Sequence, residues 1–222
     1  MKLSKSLEVT LKKDDLKSLA IDLGEVGIDS LMASGICKDI PILSTILGSI
    51  GVVGNIRDAL FVKKLISFLT EISDIPVEQR RTMIESIEAS DDYRAKVGEK
   101  LIYIIERSED HYSSRIIATF FAAFLDGEIT YNQFLKINRI IDTMYIGDFL
   151  AFAQGSYEQL DLDSEDTYIN TGLVDVSFEP VTVEDNDDYK SYGKYVTSGG
   201  PSLYVTPIGE TVRTILRGRN YT

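Results

Sequence analysis

Apolar residues recur at three- and four-residue spacing over most of the chain between residues 73 and 155. This period places one apolar stripe along one side of an α-helix. It predicts helices over 77–90, from about residue 92 past Ile105, over 110–125 and from 131 to about 145. The connections between them are short, as at Asp126-Gly127, and helices joined by short turns form antiparallel bundles. The sequence therefore predicts a helical bundle.

The first 39 residues follow a different pattern and are treated as a separate N-terminal segment. Leu7, Val9 and Leu11 alternate with polar residues, which predicts a short strand. Asp14 or Asp15 then provides a side chain suited to begin a helix that runs to Leu23.

Residues 40–56 form seventeen consecutive uncharged positions, and we predict that they open the bundle as a Gly-rich apolar helix. Gly48, Gly51 and Gly54 recur every three residues and would form a ridge of small residues. Each costs a soluble helix about 1 kcal/mol against Ala, and close packing of another helix is the usual compensation. A membrane span needs about 20 apolar residues, so this run is short for one. Burial in the core and shallow membrane association both remain open.

The next segment, 57–72, predicts an amphipathic helix. Its apolar stripe includes Phe61, and Lys63 and Lys64 lie off that stripe. A pair of lysines beside an apolar face suits either solvent or anionic lipid headgroups. The glycine ridge, Phe61 and the two lysines are therefore the candidate residues for helix packing, oligomer formation or membrane contact.

After residue 155 the period changes from helix to strand. An alternating run at 174–183 predicts one strand, and 192–206 predicts a hairpin around Ser198-Gly199-Gly200-Pro201. Pro207 then opens a final helix with Arg213 and Arg217 near its carboxyl end. These elements predict a mainly α protein: a bundle over 40–154 and a small α+β domain over 155–222.

Acidic residues are concentrated in one part of a chain whose net charge is −12. Residues 140–189 contain thirteen acidic residues and no Lys, Arg or His. Such a field repels phosphate backbones, so we expect no nucleic-acid partner. The run is typical of a solvated surface, and it also suits docking of a basic protein or a loosely held cation. The densest part, which we predict to be an acidic docking surface, contains Asp161, Asp163, Glu165 and Asp166.

The chain has one His and one Cys, at His111 and Cys37. This excludes a Cys/His zinc cluster, an intrachain disulfide and catalytic networks that use two histidines. We therefore expect a protein that is not an enzyme and that holds no cofactor or metal. A lone thiol and an amino terminus without a secretory pattern indicate a cytoplasmic protein, with membrane association as an added state.

Two phrases in the C-terminal part, Thr171–Phe178 and Leu203–Arg217, together resemble the end of winged-helix domains. In that family "GLV" enters the first wing strand, and a phrase of the form YxLTxxGxxxxxxL leads from the second strand into the last helix. The matching positions here are Tyr204, Thr206, Gly209 and Leu216. The resemblance implies a winged-helix-like fold for this part.

Many winged-helix proteins bind DNA through a basic recognition helix. The corresponding stretch here, about Ser156 to Asn170, is acidic and has no basic residue. Winged helices also dock proteins, which suits this charge better.

The segment Ile56–Leu69, IRDALFVKKLISFL, resembles uncharacterised bacterial proteins in which a Gly-rich apolar run precedes a small helical bundle. Some of those proteins are thought to act in phage defence. We therefore predict a non-enzymatic interaction or effector protein that forms homo-oligomers and docks a protein partner. The alternative is a winged-helix transcriptional regulator, which the acidic stretch disfavours.

Overall fold

The computed structural model describes residues 2–19, 38–50, 56–90, 97–155, 168–185 and 195–219. The protein is mainly helical, with a small antiparallel sheet near the carboxyl terminus, as the sequence predicts. It divides into two compact units, Met1–Asp142 and Thr143–Thr222. The predicted divisions after residues 39 and 154 differ from this. The described residues before Ile40 belong to the same unit as the bundle helices, and the helix over 146–154 belongs to the C-terminal unit.

The described elements of the N-terminal unit are helices. They are α1 (Leu3–Leu11), α2 (Pro41–Ile50), α3 (Ile56–Ile72), α4 (Val77–Glu88), α5 (Val97–Arg107), α6 (His111–Leu125) and α7 (Tyr131–Thr143). Residues 16–19 are also helical. The start of α5 was predicted at Asp91 or Asp92, and these residues lie outside the described ranges.

The predicted strand at 7–11 is wrong, because these residues belong to α1. Leu7 and Leu11 are four residues apart, so they share one helix face, and both are fully buried. Thr10 is buried as well, and its hydroxyl accepts a hydrogen bond from the Ile42 backbone N–H at 3.1 Å. Leu7 and Leu11 fit the spacing of a strand and also that of a helix. Packing of α1 against α2 favours the helix.

Helix α2 begins at Pro41, as predicted for a residue whose missing N–H is tolerated in a first turn. Ile42, Leu43 and Ile46 are buried in the N-terminal unit. The described part of the Gly-rich segment therefore places its apolar face in the protein core.

Helices α3 and α6 carry the aromatic centre of this unit. Phe68 lies 5.6 Å from Phe121, and Phe121 lies 5.3 Å from Phe134 of α7, measured between ring centroids. All three rings are fully buried. Burying a side chain of this size contributes about 1.5–3 kcal/mol, so the three rings help hold these helices together.

The predicted helix starts at Asp110 and Thr130 are confirmed. Asp110 Oδ1 accepts a hydrogen bond from the Ser113 N–H at 2.7 Å. Thr130 and Gln133 form the predicted reciprocal capping box, with bonds of 2.8 Å and 3.2 Å. The turn between α6 and α7 contains Gly127 with a φ of 78°, a conformation that glycine adopts without strain.

The C-terminal unit contains α8 (Ile146–Gln154), β1 (Val174–Asp185), β2 (Tyr195–Val205) and α9 (Pro207–Gly218). Arg217 of α9 donates hydrogen bonds to the carbonyl oxygens of Ala153 at 2.9 Å and Gly155 at 2.7 Å. Arg213 is buried, and its guanidinium lies 4.4 Å from the centroid of the Phe152 ring. The two arginines therefore bring hydrogen-bond donors and positive charge to the carboxyl end of α8, where carbonyl groups lack partners within the helix. These contacts join α8 to α9.

The strands form one hairpin, and the predicted turn at Ser198–Pro201 is wrong because these residues lie within β2. The register pairs Glu179 with Gly200 and Thr182 with Ser198, so two residues of β1 face Gly199. This is a β-bulge. Gly199 and Gly200 have φ values of 91° and 116°, and a Cβ at Gly199 would collide with the Pro180 carbonyl. Turns and bulges both use glycine at positive φ, so the Gly-Gly pair could not distinguish them.

Candidate protein-docking surface

The two faces of the hairpin differ in chemistry. Val174, Val176 and Phe178 of β1 lie on one face, since successive side chains of a strand alternate. Directly opposite them in the register are Val205, Leu203 and Pro201 of β2. This apolar face extends along the hairpin from its base to beyond the middle.

At its base, the apolar face is covered by the rest of the C-terminal unit. Val174 and Leu203 are buried. Gly209, in the first turn of α9, lies so close that an added Cβ would collide with the Leu173 carbonyl and lie 2.7 Å from Val205 Cγ1. Thr206 caps this helix by accepting a hydrogen bond from the Gly209 N–H at 3.1 Å. The chain therefore turns directly from β2 into the helix that covers the base.

Farther along, the same face is open to solvent. The Phe178 side chain is 79% exposed, and Pro201, its cross-strand neighbour, is exposed as well. Val181 in the bulge is 59% exposed. Isolated exposed apolar residues are ordinary, but three of them close together in one two-stranded sheet are typical of a contact surface. We call Phe178, Val181 and Pro201 the apolar tip.

The opposite face of β1 is acidic. Asp175 and Glu179 are exposed there, with Ser177 between them. Tyr204, across from Asp175 and 45% exposed, donates its hydroxyl to Asp175 Oδ2 at 3.4 Å. Residues 143–222 carry thirteen acidic and five basic residues, a net charge of −8. The apolar tip thus belongs to a strongly negative unit.

The predicted acidic docking residues lie outside the described ranges, and so do two of the three ridge glycines. These residues are Asp161, Asp163, Glu165, Asp166, Gly51 and Gly54. Gly48 lies in the last turn of α2 in an exposed position, and a Cβ there would meet no described atom within 4 Å. The described residues therefore show no close packing at Gly48.

The other candidate residues lie on α3. Phe61 and Lys63 are half-buried. Lys64 is also half-buried, and its ammonium group donates hydrogen bonds to the carbonyl oxygens of Glu106, at 3.0 Å, and Ser108. Burial lowers the pKa of Lys64, which the nearby charges of Glu106 and Asp110 partly offset. The two lysines, predicted to share one role, therefore differ. Lys64 makes hydrogen bonds within the N-terminal unit.

An open cleft of about 530 Å³ lies beside α1 in the N-terminal unit. Its charged lining residues already form ion pairs with neighbouring carboxylates, as in Lys13 with Asp15 at 3.3 Å and Arg81 with Asp14 at 2.8 Å. Its lining consists of Lys5, Glu8, Val9, Lys12, Lys13, Asp14, Asp15 and Arg81. Because ion pairs already engage these charges, the cleft offers no unpaired cluster of one sign to a charged ligand.

Two further properties concern metals and membranes. Over the described ranges, no three or more His, Cys, Asp or Glu side chains come close enough to hold a metal ion. No helix within those ranges is both long and apolar enough to cross a membrane.

Sequence reasoning missed Phe178 and Val181 as surface residues. The signal was partly present, because the alternating run VDVSF places Phe178 on the same face as Val174 and Val176. The run could not show where the covering helix ends, so the sequence did not distinguish a buried Phe178 from an exposed one. No protein-family model, curated protein or solved structure matches this chain.

Proposed function

We propose that this protein is a non-enzymatic interaction or effector protein whose C-terminal unit docks a basic protein partner. The observation that carries the proposal is the apolar tip, with Phe178 79% exposed, on a unit whose net charge is −8. Protein-binding patches combine an apolar core with a polar rim, and the charges of the two partners are complementary. Negative charge attracts a basic partner and increases the rate of encounter.

The proposal includes a winged-helix-like fold for the C-terminal unit. Three described features support it: the hairpin at 174–205, the direct turn from β2 into α9, and the close approach at Gly209, which provides a physical reason for the glycine in the winged-helix phrase. A role in bacterial phage defence is part of the same proposal and rests on the resemblance of residues 56–69.

Binding of a labelled peptide in which Lys and Val alternate tests the docking proposal. Fluorescence anisotropy should show saturable binding that weakens as salt increases, because surface charges are screened. Phe178→Ser should weaken binding at least several-fold. Leu60→Ser is the matched control, since Leu60 is 53% exposed on α3 of the other unit and should not affect binding. Absence of binding, or equal loss in both variants, would exclude docking at the tip.

Duplex DNA distinguishes the transcriptional-regulator alternative. The acidic C-terminal unit lacks the positive charge that neutralises phosphates, so we expect no mobility shift at about 100 mM salt. A shift that decreases steeply with salt would favour the regulator instead.

A further inference from the structure

We infer that the outer edge of β1 receives an extended strand of the partner in which basic and apolar residues alternate. This inference rests on the proposed function, because it specifies how the docked partner is held. Three features carry it. The first is which residues of β1 form hydrogen bonds to β2 and which point their N–H and C=O groups outward. The second is a proline in β2, and the third is the chemistry of the two faces of the hairpin.

The phase of the ladder is set at the base of the hairpin. The Thr206 N–H donates to the Leu173 carbonyl at 2.9 Å, which makes these residues a hydrogen-bonded pair. In an antiparallel ladder, hydrogen-bonded and non-hydrogen-bonded pairs alternate. Val174, Val176 and Phe178 therefore occupy non-hydrogen-bonded positions, and their N–H and C=O groups point outward from β1.

Two independent observations agree with this phase. Pro201 has no N–H, and it stands opposite Phe178, where the ladder requires none. The Val176 N–H donates to Asp175 Oδ1 at 2.8 Å, a contact that an outward-pointing N–H can make. Phe178 therefore presents one donor and one acceptor at the outer edge of β1, beside its exposed ring.

The two edges of the hairpin are not equivalent. In the described part of the chain the sheet has two strands, so each strand has an outer edge that no described strand pairs. The outer edge of β2 lacks a donor at Pro201, directly opposite Phe178. The edge of β1 keeps its outward donors at Val174, Val176 and Phe178, and Pro180 and the bulge lie beyond them. The stretch Val174–Phe178 is therefore the better template for an added strand.

The faces determine the partner's sequence pattern. A strand added to β1 continues both faces of the sheet, with its side chains alternating between them. Side chains on one face would lie beside Val176 and Phe178, and those on the other beside Asp175 and Glu179. Apolar pairs and pairs of opposite charge stabilise neighbouring strands. The complementary segment therefore alternates valine-like and lysine-like residues.

Asp175 would limit which strands the edge of β1 accepts. Its carboxylate covers the Val176 N–H, which blunts the edge toward neutral or acidic strands. A cation on the incoming strand competes for that carboxylate and releases the N–H. A second copy of this chain is a poor occupant, because it would bring another unit of net charge −8.

Backbone N-methylation of the peptide separates strand addition from docking by side chains alone. The probes are the alternating Lys-Val peptide, the same peptide methylated at its valine amides, and the same peptide methylated at its lysine amides. In antiparallel addition the valine amides face β1, so methylation there should weaken binding at least tenfold, while methylation of the lysine amides should not. The reverse order would indicate parallel addition and would also support an added strand.

Amide hydrogen exchange supplies the second readout. Saturating unmethylated peptide should slow exchange at the Phe178 N–H, whereas Leu60 on α3 should show no change. If all three peptides bind equally and Phe178 exchange is unchanged, strand addition is overturned while basic docking stands. If no peptide binds, the proposed function itself fails.

Discussion

Gly209 is the residue that lets α9 approach the base of the hairpin. It lies in the first turn of the helix, and its missing side chain leaves space for the Leu173 carbonyl and Val205. Phe152 of α8 is also close, 3.1 Å from an added Cβ. The sequence phrase from Tyr204 to Leu216 depends on this contact between a strand, a helix and an aromatic ring.

We expect Gly209→Ala to destabilise the protein by about 1–3 kcal/mol, because a methyl group would be forced into filled space. Gly218→Ala in the same helix is the control, since a Cβ there meets no described atom within 4 Å. That change should be neutral or slightly stabilising. Urea unfolding curves measure both, and equal effects of the two substitutions would contradict the close approach at Gly209.

Asp110 caps α6 and carries a pH-dependent contribution to stability. Burial acts to raise the pKa of Asp110, but the Ser113 N–H bond and the neighbouring charge of His111 outweigh it, so the pKa lies below its ordinary value. A carboxylate with a lowered folded pKa stabilises the fold above its unfolded pKa. That contribution is lost as the pH falls through the folded pKa.

Asp110→Ala should therefore cost about 1 kcal/mol at pH 7, the usual loss for a cap. The difference from wild type should shrink as the pH falls below about 4, the ordinary pKa of Asp, and through the lowered pKa of folded Asp110. Asp110→Asn keeps an oxygen acceptor and should stay near wild type at pH 7. Chemical unfolding at both pH values checks this, and a difference that does not change with pH would argue against the charged cap.

Helix α3 illustrates how neighbouring residues of one element take different roles. Lys64 donates to the last carbonyl groups at the carboxyl end of α5, where such groups have no partner within the helix. Ser114 of α6 in turn donates its hydroxyl to the Lys64 carbonyl at 2.8 Å. Lys64 thus connects three helices, while Lys63 beside it lies half-buried on the same helix.

Lys64→Met should cost about 1–2 kcal/mol, because it removes hydrogen bonds from a charged group and leaves the carbonyl oxygens of α5 without that donor. Lys63→Met should change stability by no more than about 0.5 kcal/mol, as surface substitutions usually do. Thermal and urea unfolding compare the pair. Equal costs would mean that the Lys64 contacts contribute little.

At the scale of the whole molecule, the apolar face of α2 belongs to the core of the N-terminal unit. Ile46 is 3% exposed, so a charge placed there would unfold the unit before it could report on lipid. We propose that membrane association requires release of α2 from α1. Lys63, which is half-buried beside the apolar stripe of α3, is the more informative position for a lipid test.

Vesicle flotation tests this proposal. The native protein should remain unbound to anionic vesicles, and it should float only at urea concentrations that begin to release α2. Lys63→Glu should then reduce flotation, because lysines near the surface of anionic bilayers contribute about 1 kcal/mol each. Flotation of the native protein in buffer alone would contradict the buried position of α2. No flotation at any urea concentration would end the membrane proposal.

The sequence by itself determined most of the helices and their ends. The start of α6 at Asp110 and the Thr130–Gln133 capping box depend on residues within three positions of one another, so local chemistry suffices. The same holds for Pro41 at the start of α2. Charge is likewise additive along a chain, so the acidic character of the C-terminal unit needed no coordinates.

Tertiary structure decided what local patterns left ambiguous. Leu7 and Leu11 fit a strand or a helix, and burial against α2 selected the helix. Gly199-Gly200 fits a turn or a bulge. Because β1 continues to Asp185 and pairs with β2 on both sides of Gly199, the structure has a bulge there. Phe178 continues the core face of β1, yet it is exposed, because exposure depends on where the covering elements end. Such outcomes depend on residues far apart in sequence, and no short-range pattern contains them.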